Sequence, residues 1–181
     1  MGKIQSTDSC VYRIDAADTI TFVGPEWLRF AVENEAPELT EAAVVGRPIW
    51  SFITGEETRR LYAELFRDLR VRPTEITIPF RCDSPTVVRH MSLDLRSHGG
   101  GELELEGRLL HAATREPVDV LSRRAERSAE SLPICSLCRR LFVQGEWVDA
   151  GTAIVRRRLF NAAAVPRLAE TVCEACGGGR G

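Results

Sequence analysis

Two cysteine pairs, Cys135-Ser136-Leu137-Cys138 and Cys173-Glu174-Ala175-Cys176, constrain this chain more than any other feature in it. A C-x-x-C turn aims two sulfurs at one point, and two such turns supply a closed tetrahedron of thiolates. Zinc favours that arrangement because it is borderline-soft and has no geometric preference of its own. Four cysteine ligands leave no open coordination position, so the metal expected here is structural and not catalytic. A pair of redox-active dithiols is the alternative that the spacing leaves open. The 34 residues between the pairs (139–172) exceed the roughly 15–20 of a simple zinc ribbon, so they must carry structure of their own. Residues 141–148 read as a hairpin turning at Gln144-Gly145, Ala153 to Phe160 as a short helix, and Val165-Pro166 as the return to the second pair. A unit spanning 133–181 is too small to bury much core, so metal binding is expected to supply much of its folding free energy.

Where such thiols sit depends on the compartment. No stretch approaches the roughly 18–20 apolar residues needed to cross a membrane, and residues 1–8 lack the apolar run of a signal peptide. A cytoplasmic location is expected, and there paired thiols are more often metal ligands than disulfides. The formal net charge of −2 gives no whole-chain attraction to nucleic acid or anionic lipid. Locally the balance differs. Residues 133–181 hold seven arginines against four acids, with Arg156-Arg157-Arg158 consecutive. A nucleic-acid-binding regulator is therefore the second functional reading. A solvated helix face is the preferred one, since few aromatic side chains are at hand to stack on bases. Lys3 is the only lysine, a bias that points to a GC-rich bacterial genome.

Upstream, residues 10–114 carry the period-two and period-3.6 patterns of a mixed fold. Val11–Asp15 and Thr19–Val23 alternate around Ala16-Ala17-Asp18. Gly24-Pro25 opens a helix with Trp27, Leu28 and Ala31 on one face. Thr54-Gly55-Glu56-Glu57 has the spacing of a capping box before a second helix. That helix carries the apolar stripe Thr58, Leu61, Tyr62, Leu65, Phe66 and Leu69. Three strands follow, with Ile76, Ile78, Phe80 and Cys82, then Met91, Leu93 and Leu95, then Leu103, Leu105 and Leu109 on their apolar faces. One buried face per strand is the mark of an antiparallel sheet. His111 continues the last face and is expected to point inward. Arg89 interrupts an apolar face, as an anion anchor or, by preference, as the partner of a nearby carboxylate. Cys10 is expected to be inert.

The ββααβββ order, with Arg13-Ile14-Asp15, Ile20–Val23 and Gly46-Arg47-Pro48-Ile49-Trp50-Ser51-Phe52-Ile53, resembles a PAS sensor domain. Pro79–Pro85, Cys135–Arg140 and Gly145–Val148 make it similar to a group of bacterial PAS-like proteins with a tail ending in two C-x-x-C pairs. Where relatives in that group tend to have His-Gly before the last pair, this chain has Glu170-Thr171, which leaves the four cysteines as the metal site. The resemblance implies an α+β fold, a five-stranded antiparallel sheet with helices on one face, and a role in signal transduction. It also implies a homodimer, a protein partner, and a small ligand held between sheet and helices. The inward candidates for that pocket are Trp27, Trp50, Ile78, Phe80, Cys82, Met91, Leu93 and Leu105; the opposing expectation is that the same residues close into a dry core. Cys82 off a helix does not fit a flavin-adduct cysteine, and no helix offers a haem-ligating histidine.

The expected organisation is a PAS-like domain over 1–114, a polar linker over 115–132, and the zinc unit over 133–181, with residues 1–120 folding without the tail. No nucleophile–base motif or phosphate-binding glycine loop is present, so the expected protein is regulatory and not an enzyme.

Overall fold

In the computed structural model, which describes residues 9–159 and 162–178, alternation builds the first sheet as expected. Strands β1 (Ser9–Ile14) and β2 (Ile20–Val23) pair around a turn in which the Asp15 carboxylate accepts from the backbone N–H of Ala17 and Thr19, both at 2.9 Å. Helix α1 (Pro25–Glu33) begins on its proline, and the short α2 (Glu41–Val44) is capped by the Thr40 hydroxyl. Helix α3 (Glu56–Val71) leads into β3 (Glu75–Arg81), β4 (Val87–Gly99) and β5 (Glu102–Thr114). The strands run antiparallel in the order β2-β1-β5-β4-β3. Ile14, Ile78, Leu93, Leu95, Leu103 and Leu105 pack against Leu65, Phe66 and Leu69 of α3. The other face carries interleaved ion pairs, among them Arg13–Glu104, Arg96–Glu106 and Arg108–Asp94. This is the α+β, PAS-like arrangement, a five-stranded sheet with helices on one face.

Two local expectations fail there. The register of β4 and β5 slips between His90 and Met91, so His90 stands opposite His111 while Met91 stands opposite Leu109. This bulge turns His111 outward, with its ring 6.2 Å from that of His90, where simple alternation would have buried it. Nor does the capping box form at α3. Its N-cap is Gly55, at φ +82°, with no side-chain cap. A Cβ there would stand 2.2 Å from the Glu170 carbonyl oxygen, so the close approach of a distant strand fixes that position as glycine.

A second sheet follows, β8-β7-β6-β9, formed by β6 (Arg127–Cys135), β7 (Leu141–Val143), β8 (Glu146–Val148) and β9 (Val165–Thr171). The β7–β8 hairpin turns at Gln144 (φ 53°) and Gly145 (φ 87°), both left-handed, as the sequence leads one to expect. Helix α4 (Ala150–Arg157) starts earlier than the expected Ala153, because the Asp149 carboxylate caps it by accepting from Thr152 N–H at 3.0 Å. It ends at Arg158, and Phe160 lies outside the described residues. Strand β9 lies parallel to β6, so the chain between them makes the crossover that parallel pairing requires.

The segment 115–132 corrects the sequence reading most. It is not a polar linker. Val118, Val120 and Leu121, the last two in a 3-10 turn (Asp119–Leu121), join Leu132, Ile134, Leu141, Val143, Ala153, Ile154 and Val165 in a second core. Two of its arginines hold backbone: Arg115 donates to the Pro85 and Ser84 carbonyls, and Arg127 to those of Val120, Ser122 and Pro166. Charged composition disguised a segment whose valines and leucines are all placed inward.

Candidate metal centre and its joint with the first sheet

The first cysteine pair stands where β6 ends. Arg139, at φ 57°, donates its N–H to the Cys135 carbonyl, and Cys135 N–H bonds back to the Arg140 carbonyl, which closes a tight knuckle. The second pair straddles α5 (Glu174–Gly177), with Cys173 at its N-cap and Cys176 N–H returning to the Cys173 carbonyl. Parallel pairing of Cys135 with Thr171 sets the two knuckles side by side. All four sulfurs lie within 4.8 Å of one another, and Cys138 Sγ and Cys173 Sγ are 3.7 Å apart. Thiolates about 2.3 Å from one tetrahedral ion stand roughly 3.8 Å from each other, so the donor set fits a single metal ion. Two independent dithiols would not require the pairs to converge.

Cys135 and Cys173 are buried, while Cys138 and Cys176 reach the surface. Burial opposes charge on Cys135, yet backbone N–H groups of Cys138, Cys173 and Leu137 aimed at its sulfur outweigh burial and lower its pKa. One of these, Cys173 N–H, lies 3.4 Å from the sulfur. Burial, then the neighbouring Cys135, pushes Cys138 up to about 11. Cys176 is raised by burial and by the other sulfurs. Four thiolates this close repel one another, and a divalent cation removes that conflict while releasing protons.

The knuckles are part of the first core. Cys135, Leu137 and Cys173 are buried in the same cluster as the α3 and sheet residues, with Cys138, Cys176 and Trp147 packed on it. The Leu137 carbonyl accepts from Arg81 N–H at the end of β3, at 2.6 Å. Ser136 Oγ donates to the Glu170 carboxylate at 2.7 Å and stands 2.6 Å from Thr58 Oγ1 on α3. Ser136 Oγ also donates to the Thr171 carbonyl at 3.1 Å, so its one proton is taken up by these acceptors and Thr58 donates to Ser136. Glu170 also takes the Arg139 guanidinium at 2.8 Å. Composition and spacing gave no signal for this joint; the Glu170-Thr171 dipeptide, read only as a missing histidine, is its centre.

The other expected site residues divide. Ile78, Leu93 and Leu105 belong to the first core, with Trp27, Trp50 and Phe80 packed on it. Met91 is buried opposite Phe80 on the next strand. Cys82 leaves that group. It follows β3 and lines a separate cleft of about 290 Å³ with Asp83, Arg139 and Glu170. Burial pushes its thiol up, and Arg139 and Arg89 partly offset this. Arg89 bonds Asn34 Oδ1 at 2.8 Å and lies over Phe30, so its partner is an amide and not the expected carboxylate. Cys10 is buried on β1. In the arginine run, Arg156 pairs with Glu146 and Arg157 with Glu130, which leaves little free charge for phosphate. Among the described residues, no helix is long and apolar enough to cross a membrane.

No protein-family model and no curated protein matches this chain. Solved structures similar to it include PAS domains and a photoactive yellow protein domain. The photoactive yellow protein domain of a sensor histidine kinase from Rhodospirillum centenum is 9% identical, over 60% of this chain and 97% of that one, with a TM-score of 0.44. The PAS domain of the Cronobacter turicensis quorum-sensing receptor RpfR, in complex with C12:0, is 12% identical over 60% and 99%, with a TM-score of 0.42. The Vibrio cholerae Aer2 receptor, described as a dual PAS-heme oxygen sensor, is 13% identical over 57% and 95%, with a TM-score of 0.36.

Proposed function

We propose that this protein is a non-catalytic signal-sensing regulator in which a PAS-like domain is coupled to a docking unit held by one structural zinc ion. The observation that carries the reading is the convergence of Cys135, Cys138, Cys173 and Cys176 against the core of the first sheet. An all-sulfur, four-coordinate donor set suits zinc and leaves no position for substrate. The metal holds the two knuckles; Ser136, Arg139 and Glu170 brace them against α3. The sensing element in this reading is the layer between sheet and helices, around Trp27, Trp50, Ile78, Phe80, Met91, Leu93 and Leu105, with Cys82 set apart in its own cleft. A small ligand there would act through α3, which touches both that layer and the first knuckle. A homodimer and a protein partner complete the proposal.

Native mass spectrometry of freshly purified protein tests it, reporting zinc content, retained ligand and subunit number together. One zinc per chain is expected, and it should be lost in the Cys135→Ser, Cys173→Ser double variant. Zinc retention by that variant would refute the assignment. Ligand sensing is checked by thermal unfolding against small metabolites, where a binder raises the midpoint with its concentration. If no compound does so, the PAS-like domain is a dimerisation or docking unit alone.

A further inference from the structure

The bulge that turns His111 outward also leaves Leu110 without a partner on β4, and the residue is 64% exposed. Bulges re-aim side chains, and this one raises a leucine on the wall of an open groove of about 410 Å³. Pro79 of β3 lies along the groove, and Cys138 and Cys176 of the two knuckles close its far side. Among the described residues the lining is mostly apolar and holds no acid; its charged members are Arg81 and Arg140, with His90 beside them. Arg81 is committed to the buried carboxylate of Asp83. Arg140 is exposed and has no acidic partner among the described residues.

We propose that this groove docks a protein partner that presents, in extended form, an apolar side chain next to a carboxylate. The proposal rests on the reading of the protein as a zinc-stabilised docking regulator, and it names the surface and the partner's chemistry. Charge complementarity identifies the occupant. Leucine, proline and cysteine walls favour an apolar side chain, while Arg140 at the rim, with no acidic partner among the described residues, favours an anion beside it. A fatty acid has the same two features, but small ligands are held where most of their surface is enclosed. This groove lies open along its length and suits side chains whose backbone stays outside. Because the knuckles form one wall, docking requires the metal.

The test uses full-length, zinc-loaded protein and fluorescein-labelled octapeptides of alternating leucine and glutamate, read by fluorescence anisotropy. Saturable binding is expected, weakened roughly tenfold or more when lysine replaces glutamate or serine replaces leucine. Leu110→Glu and Arg140→Glu should each weaken it by a similar factor, with circular dichroism and zinc content unchanged. Arg140→Glu should also bring the lysine peptide to at least equal affinity. Cys176→Ser should lose zinc and binding together. Absence of saturable binding, equal binding of the lysine peptide to the wild type, indifference to both surface variants, or displacement by decanoate would each overturn the proposal. Zinc content measured on the same samples separates the two readings. One zinc per chain without peptide binding removes the docking groove alone, whereas absence of zinc removes the metal-held unit from which it is built.

Discussion

At Glu170 one residue of β9 meets two other segments, the start of α3 and the first knuckle. Its carbonyl lies over Gly55, its carboxylate accepts from Ser136 and from Arg139, and Ser136 in turn receives Thr58. Glu170→Ala leaves Arg139 without its carboxylate and Ser136 with only the Thr171 carbonyl at 3.1 Å, and should destabilise the zinc-loaded protein by about 1–3 kcal/mol. Glu170→Gln, which keeps the shape and one acceptor oxygen, should cost less. Urea denaturation measures both, and an alanine variant as stable as the wild type would remove Glu170 from the joint. Gly55→Ala probes the same contact from the other side. A methyl group there meets the Glu170 carbonyl carbon and oxygen at 2.8 and 2.2 Å, and φ is +82°. Neither neighbour is a flexible side-chain end, so α3 and β9 must separate. The expected result is a loss larger than the roughly 1–3 kcal/mol that the positive-φ backbone alone would cost a non-glycine residue, together with weaker zinc retention against a chelator.

Among the elements, the outer face of the first sheet is an ionic ladder in which Glu106 bonds both Arg108 and Arg96. The Arg108 hydrogen bond, with Arg96 adding to it against burial, lowers the Glu106 pKa to about 2. A carboxyl group whose pKa is depressed on folding adds stability above its unfolded value near 4.3 and loses it as pH falls toward the folded one. Stability should therefore decline less between about pH 4 and pH 2 in Glu106→Gln than in the wild type, and urea midpoints across that range report the difference. If the acid limbs of the two proteins coincide, the ladder contributes nothing. These strands were legible because period two is a local pattern, as was the α3 stripe with period 3.6, and the convergence of the four cysteines because C-x-x-C spacing is local too. The bulge at His90 was not legible, since neither strand alone records its register. Strand β6 was missed because its apolar alternation is confined to Leu132 and Ile134, and its parallel partner β9 lies far along the chain. The capping box misled because it satisfied a local rule at a residue, Gly55, whose identity is set by a contact with β9.

Across the whole molecule, the two cysteine knuckles lie between two cores and belong to the larger. The sequence favours a first domain that folds independently over residues 1–120, yet Cys135, Leu137 and Cys173 fill the cluster that includes Leu65, Phe66 and Leu93. Arg81 and Thr58 hydrogen-bond outward to knuckle residues, and without the tail they return to water while apolar side chains beside them are uncovered. The second core, by contrast, has its own sheet, helix and 3-10 turn, so it does not depend on zinc alone as a small finger would. Metal removal should thus act on the first sheet as well as on the tail. Differential scanning calorimetry of the zinc-loaded protein is expected to show one cooperative transition. A chelator removes binding free energy on the order of several kcal/mol, and each kcal/mol moves the midpoint of a chain this long by roughly 2–4 °C. The midpoint should fall by about 10 °C or more. Tryptophan emission assigns the change, because Trp27 and Trp50 pack on the first core and Trp147 bridges to the knuckles. With Trp147→Phe, the remaining signal reports the first sheet and its helices, and its midpoint should fall with the calorimetric one. Two separate transitions, with the Trp27 and Trp50 signal unmoved by the chelator, would show that the PAS-like domain stands without the metal and that the joint at Glu170 transmits nothing.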